Sequence, residues 1–295
     1  MNVRASEKAL ALWSLAFILG AAIFISGCKK NDSNPVGGST TASLSDDDAN
    51  AADAVSAALA SNNGGAMDQV NDLCEIAGGV GVGGGVLGKT SGISTLSNGT
   101  YDSLTSSWTF TLVKGDSALL PLYYGYRTRN HWLQFRANGV PQKFRITKGA
   151  AADTILHQLT GGTGFFWTPR LIHHLTSIGS NWVVSGTNTD TITINGSYEW
   201  AGTDSIVIAG KRQGDRIDRA LTLQFINVRG PKGTRYSHSE HTSGTIHVTY
   251  DATITTPGGA THHYSISFDI VLGGGYANFS LDGTAFKADL ANGDH

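Results

Sequence analysis

Between Thr100 and the C-terminus, apolar and polar residues alternate with a period of two. Trp108, Phe110 and Leu112 are separated by Thr109 and Thr111, and Leu221, Leu223 and Phe225 form a second stripe. Ile192, Ile194, Tyr198 and Trp200 keep one face across Asn195-Gly196. Ile246, Val248 and Tyr250 face one side, Thr245, His247 and Thr249 the other, and Tyr264, Ile266, Phe268 and Ile270 answer them across Pro257-Gly258-Gly259. Successive side chains of a strand point to opposite faces, so the pattern predicts strands with one packed and one wet face. Asn138-Gly139 predicts a hairpin between 131–137 and 140–147, and Asp282-Gly283 another between 276–281 and 284–290. About ten to twelve strands follow from such signals, joined by short turns, which implies an antiparallel meander and not parallel strands with helical crossovers. So many strands must twist and curl. The expected fold is mainly β, a curved half-barrel or a two-sheet sandwich.

Ahead of the strands the period lengthens. Ser43 or Ser45 caps a helix that carries Asp46, Asp47 and Asp48 in its first turn, where carboxylates suit the helix dipole, and Asn62-Asn63-Gly64-Gly65 ends it. Met67, Val70, Leu73, Cys74 and Ala77 then share one helical face, so a second short helix is expected over 66–77, with Cys74 as a small core residue. The helical segment therefore spans 44–77. Residues 78–99 are a glycine-rich linker, and 100–295 form the β-domain. Gly88-Lys89-Thr90 has the last three letters of a P-loop, but no long helix pattern follows.

Residues 28–43 are polar and aperiodic and read as a flexible tether. Before them, Arg4 and Lys8 precede an apolar run from Ala9 to Ile25, shorter than the ~20 residues that span a bilayer and about as long as a secretory signal core.

Composition narrows the options. The chain has 38 glycines in 295 residues and 15% charged residues, against about 21 glycines at average usage, which favours strands and tight turns. Removing residues 1–27 takes Arg4, Lys8 and Glu7, so the formal net charge of −2 becomes one unit more negative. Nucleic acid is not an expected partner of such a chain. Cys28 and Cys74 are the two cysteines of the chain.

Ile25-Ser26-Gly27-Cys28 resembles the lipobox of bacterial lipoproteins, an aliphatic residue, two small residues and a cysteine. The resemblance covers about the first thirty residues. It implies that residues 1–27 are a signal peptide and that Cys28 becomes the first mature residue, carrying a diacylglycerol thioether. Such acylation of Cys28 leaves Cys74 as the remaining thiol, with no intramolecular disulfide. Several acyl chains at ~0.8 kcal/mol per buried methylene anchor a protein firmly. Lys29 and Lys30 stand where many inner-membrane lipoproteins have an aspartate, so the resemblance implies the outer membrane. Lys29-Lys30-Asn31-Asp32 is loosely similar to the export tract of surface lipoproteins, which leaves the periplasmic and cell-surface faces both open. The layout of tether, short helices and antiparallel sheet resembles envelope lipoproteins of the Bacteroidota. A lipid-facing barrel shows the same alternation, but it would make the anchor redundant.

Candidate chemistry is sparse. Gly115-Asp116-Ser117 resembles the opening block of GDSL esterases, whose serine is the nucleophile, but no later block of that family follows and Gly115-Asp116 also suits a turn. His238, Glu240 and His241 lie in a polar loop and offer a weak metal site, which His173 and His174 could join from elsewhere. If a hairpin centres on Gly258-Gly259, His247 pairs near Ile270 and His262 near Thr255, roughly 26 Å apart at ~3.3 Å per residue, so these histidines cannot share one metal. Trp132 shares a strand face with Gln134 and Arg136, opposite Leu133 and Phe135, and is either a stacking platform or a cap on the core. Phe165, Phe166 and Trp167 sit in a glycine-flanked loop, as an exposed tip or as a core cap. The expectation is a lipid-anchored envelope protein with a non-enzymatic binding or structural role, no cofactor, and a protein partner or self-association through its strands. The alternatives are a carrier or sensor of a hydrophobic ligand in a curved-sheet cavity, and an envelope hydrolase.

Overall fold

The computed structural model describes residues 44–79, 99–116, 124–233 and 241–295. The lipobox with Cys28, the tether, Gly88-Lys89-Thr90, Ser117, His238 and Glu240 lie outside the described residues. Residues Ala42–His295 form one compact unit, so the helices and the sheet belong to the same body.

Helix α1 (Asp46–Leu59) starts where its cap predicts: the Asp48 N–H donates to Ser45 Oγ over 3.0 Å, with Asp46, Asp47 and Asp48 in the first turn. Helix α2 (Ala66–Gly78) ends at Gly79, whose φ of 83° is left-handed and suits glycine. The amphipathic face expected for α2 is buried, and so is the opposite face: Asp68, Gln69, Asn71 and Asp72 are as enclosed as Met67, Val70 and Leu73. Alanines 51, 52, 54, 57 and 58 do the same for α1, because side chains this small let neighbours approach from every direction.

What encloses the helices is one antiparallel sheet. Its strands are β1 (Thr100–Asp102), β2 (Ser107–Asp116), β3 (Tyr124–Ala137), β4 (Val140–Gln142), β7 (Thr154–Trp167), β8 (Leu171–Ser185), β9 (Thr191–Ile206), β10 (Arg216–Pro231), β11 (Ser243–Thr255), β12 (Thr261–Gly273), β13 (Tyr276–Leu281) and β14 (Thr284–Asp289). β5 (Ile146–Thr147) and β6 (Ala150–Ala151) form a small separate ribbon, so the strand expected over 140–147 is broken. Each main strand pairs with its predecessor, and β4 extends the pairing on β3 beyond β2. The sandwich alternative is thereby corrected: the strands form a single continuous sheet, open between β1 and β14.

Its curvature shows in what reaches the helices. Arg127 on β3 binds Asp68, Arg170 in the β7–β8 turn and Arg212 in the β9–β10 turn both bind Asp53, and Tyr264 on β12 donates to Asp48. Strands that far apart in sheet order meet one helix pair only if the sheet wraps around it. Bulges at Thr160, at Thr176 and around Asn227 bend the strands. The core comprises the inner residues of the sheet, Leu133, Phe135, Trp182, Tyr198, Phe225 and Tyr250 among them, packed on the helices.

Candidate functional site

With α1 and α2 on its inner side, the sheet turns its outer side to solvent, and the register there lines up a row of residues across eight strands. Thr109 pairs with Trp132, Trp132 with Gln158, Gln158 with Asn181, and Asn181 with Ser197. The row continues through Gln224, His247 and Asp269. At ~4.8 Å per strand it runs for roughly 34 Å. Period-two alternation puts these side chains outside, and a shared register joins them. The row is uncharged from Thr109 to Gln224, offers amides and hydroxyls that both donate and accept, and has one aromatic ring near its end. Such a surface suits a neutral, hydroxyl-rich or amide-rich partner.

Trp132 is half-buried on this outer face, with Leu133 and Phe135 on the inner one. Gln134 shares its face, but it is buried and donates to the Thr105 carbonyl over 2.5 Å while accepting from Arg136 Nε over 2.7 Å. Gln134 and Arg136 therefore brace the strand end beside Trp132.

Phe165, Phe166 and Trp167 form the end of β7, not a loop, so that expectation is corrected. The glycines before them are strand positions where inner-face space is short: a Cβ at Gly162 would lie 2.4 Å from the Thr128 carbonyl oxygen. Phe166 points inward, buried, and stacks on His173. Phe165 points outward beside His174, in a different row, that of Tyr126. Tyr126 and Trp132 are six positions apart on β3, about 20 Å, so the two aromatic groups are not brought together.

The histidines separate as the hairpin argument expects. His247 faces Asp269 and His262 faces Ile254. His247 lies 2.7 Å from Asp269, His263 3.3 Å from Asp251, and His262 2.8 Å from Asp47. His241 is exposed. Among the described residues no group of three or more His, Cys, Asp or Glu side chains is placed to hold a metal.

The densest titratable constellations lie inside. Asp204 takes His173 Nδ1 at 2.5 Å and the Arg219 guanidinium on its other oxygen, all three buried, with the Arg219 guanidinium 5.3 Å from the Trp200 ring centre. Burial pushes the Asp204 carboxyl up, but Arg219 and His173 outweigh it and hold the group below the ordinary carboxylate range. Burial pushes the His173 imidazole down. His131 and His157 share a 2.9 Å hydrogen bond, and burial, helped by Arg129, lowers His157 to about 3. Sequence reasoning missed Asp204, Arg219 and His157. The one available signal was a charge or imidazole at an inward position of a strand, at Arg127, Arg129, His131 and His157 on β3 and β7, and at Arg219 on β10. Asp204, His173, Arg219 and His157 are enclosed by the core, whereas His131 lines an open cleft of ≈ 410 Å³ together with Thr109, Thr111, Asn130 and Thr160.

At the open side of the sheet, Asp53, Arg170, Arg212, Phe286 and His295 line an open cleft of ≈ 420 Å³. Its two arginines are both engaged by Asp53 at 2.8–2.9 Å. The chain matches no family model, no curated protein and no solved structure.

Proposed function

We propose that this chain is a lipid-anchored protein of the bacterial envelope whose β-domain presents a surface for binding or assembly and catalyses no reaction. The anchor reading rests on Ile25-Ser26-Gly27-Cys28 and its flanks, with Cys28 as the acylated residue and the outer membrane as the destination. The observation that carries the surface reading is that α1 and α2 fill the inner side of the sheet on all sides. The space a hydrophobic ligand would need is occupied by Val55, Leu59, Met67, Val70 and Leu73. The buried acid–base group of Asp204, His173 and Arg219 is enclosed with them. The outer face and the strand edges remain, and the row from Thr109 through Trp132 to Gln224 is an extended polar feature of that face.

Two experiments test the reading. Cells fed labelled palmitate should label the wild-type chain and not Cys28→Ala; an unlabelled wild-type chain would sink the anchor. Envelope material captured by the wild-type chain should be lost with Trp132→Ala at unchanged thermal stability. Equal capture by both would remove Trp132 and its row from the binding surface.

A further inference from the structure

The outer edge of β12 is the longest stretch of strand backbone without a partner among the described residues. β12 pairs with β11 along its whole length, Ser243 through Thr255 against Gly273 through Thr261, with no bulge. On its other side it pairs with β13 only at Val271, Leu272 and Gly273. The β13–β14 hairpin then turns away and packs on α1, with Phe279 against Phe268. The edge from Thr261 to Ile270 is thus left open. Its inward side chains record the same fact: Tyr264, Ile266 and Phe268 are half-buried, while Ile246, Val248 and Tyr250 opposite them on β11 are buried.

Natural sheets blunt long edges with proline, lysine, bulges or a covering element. The segment Thr261-His262-His263-Tyr264-Ser265-Ile266-Ser267-Phe268-Asp269-Ile270 has neither proline nor lysine. It is also self-complementary about its centre. In an antiparallel pairing of two copies around Ile266, residues opposite each other have numbers that sum to a constant, so inward meets inward and outward meets outward. Ile266 then faces its own counterpart, Tyr264 faces the partner's Phe268, and Ser265 faces the partner's Ser267. His263 faces the partner's Asp269. His263 already sits 3.3 Å from Asp251, and Asp269 2.7 Å from His247. The alternation of carboxylate and imidazole would run unbroken across the seam, and hydrogen-bonding partners or aromatic rings facing each other across strands are favourable pairs.

We propose that β12 is a homodimerisation edge, at which two copies of this chain join antiparallel around Ile266 into one continuous sheet with twofold symmetry. This deepens the assembly part of the proposed function and rests on that reading. The test uses the full chain in detergent. His263→Cys and Asp269→Cys chains are prepared separately, mixed and oxidised, with the wild-type chain setting the background from Cys74. The mixture should give a disulfide-linked dimer several-fold above either variant alone, because 263 and 269 face each other in this register, while each lies about 20 Å from its own counterpart. Both positions are well exposed, with side chains 61% and 64% accessible, and circular dichroism verifies folding. Linking no greater in the mixture than in the single variants would overturn the register. A monomer by sedimentation velocity of the wild-type chain at high micromolar concentration would overturn the edge altogether. Either failure leaves the anchor and the outer-face reading standing, since those fall on the palmitate and Trp132→Ala capture experiments.

Discussion

At the scale of single residues, the buried charges carry the sharpest expectations. Asp204 is held by His173 and Arg219 with none of the three near solvent. Removing one partner of a buried pair leaves the other charge uncompensated, at a cost of about 3–5 kcal/mol. Asp204→Asn should therefore lower the unfolding free energy by that amount in urea titrations. Asp204→Asn with Arg219→Met should recover part of it, since Met leaves no orphan guanidinium. His157 sets a pH dependence. Its folded value of about 3 lies below the ordinary imidazole value of 6.5, so the folded state binds fewer protons than the unfolded one between these limits. Its contribution is complete above about pH 6.5 and is lost as the pH falls toward 3. At about 1.4 kcal/mol per pH unit this group alone makes the protein about 2 kcal/mol less stable at pH 5 than at pH 7. The expected result is a shallower fall for His157→Gln than for wild type in urea unfolding at the two pH values. His173, also lowered by burial, acts in the same direction.

At the scale of elements, the strands follow the alternation until a bulge changes which residues face inward. In β7 the inward positions are Ile155, His157 and Leu159 before Thr160, and Gly162, Gly164 and Phe166 after it. A strict period of two across 154–167 puts Phe165 with His157 and turns Phe166 outward. The expectation of a loop there arises from Gly161, Gly162 and Gly164, which read as turn residues; Gly162 and Gly164 make room between strands instead, and Gly161 follows the bulge with a φ of 151°. Gly162→Ala should destabilise the protein by roughly 1–3 kcal/mol, because the new Cβ meets the Thr128 carbonyl oxygen at 2.4 Å. Thermal unfolding measures it, and an unchanged midpoint would show that β3 and β7 can separate there. The helix signals were more direct. A cap, three aspartates and a glycine act within a few residues of where they stand, and α1 and α2 begin and end close to their expected limits.

At the scale of the molecule, the arrangement inverts the usual relation of a surface helix to a sheet. The two helices are the centre and the sheet is the wrapping. α1 and α2 carry eight buried polar side chains, Asp48, Asn50, Asp53, Ser56, Asp68, Gln69, Asn71 and Asp72. Several are met by cations or hydroxyls from strands that are distant in sequence: Asp68 by Arg127 and Arg129, Asp53 by Arg170 and Arg212, Asp48 by Tyr264. These contacts tie the wrap to its centre and disfavour sliding of the helices within it, since any shift unpairs a buried charge. A chain lacking residues 44–79 should fail to yield a soluble protein, because it exposes the inner face of every long strand. Recovery of a soluble, cooperatively unfolding sheet from that deletion would show that the helices are a passenger. Trp132→Ala, by contrast, should leave the unfolding midpoint nearly unchanged, since its ring lies on the outer face.

The sequence by itself determined what is local: the period of the strands around Trp108, Ile192, Leu221, Ile246 and Tyr264, the capped helices, the Asn138-Gly139 and Asp282-Gly283 turns, the position of Trp132 opposite Leu133 and Phe135, and the separation of His247 from His262. Each follows from neighbours within about a dozen residues, where chain connectivity does most of the ordering. Only the tertiary structure decided that both helices are buried on every side, that Asp204 meets His173 and Arg219, and that outward residues of eight strands form one row. Those facts depend on the curl and register of a sheet whose ends are nearly two hundred residues apart, and alternation is the same for a strand that faces water, lipid or a helix. The lone edge of β12 belongs to the second group. Its residues read as an ordinary strand, and the departure of β13 after three pairs is what leaves it open.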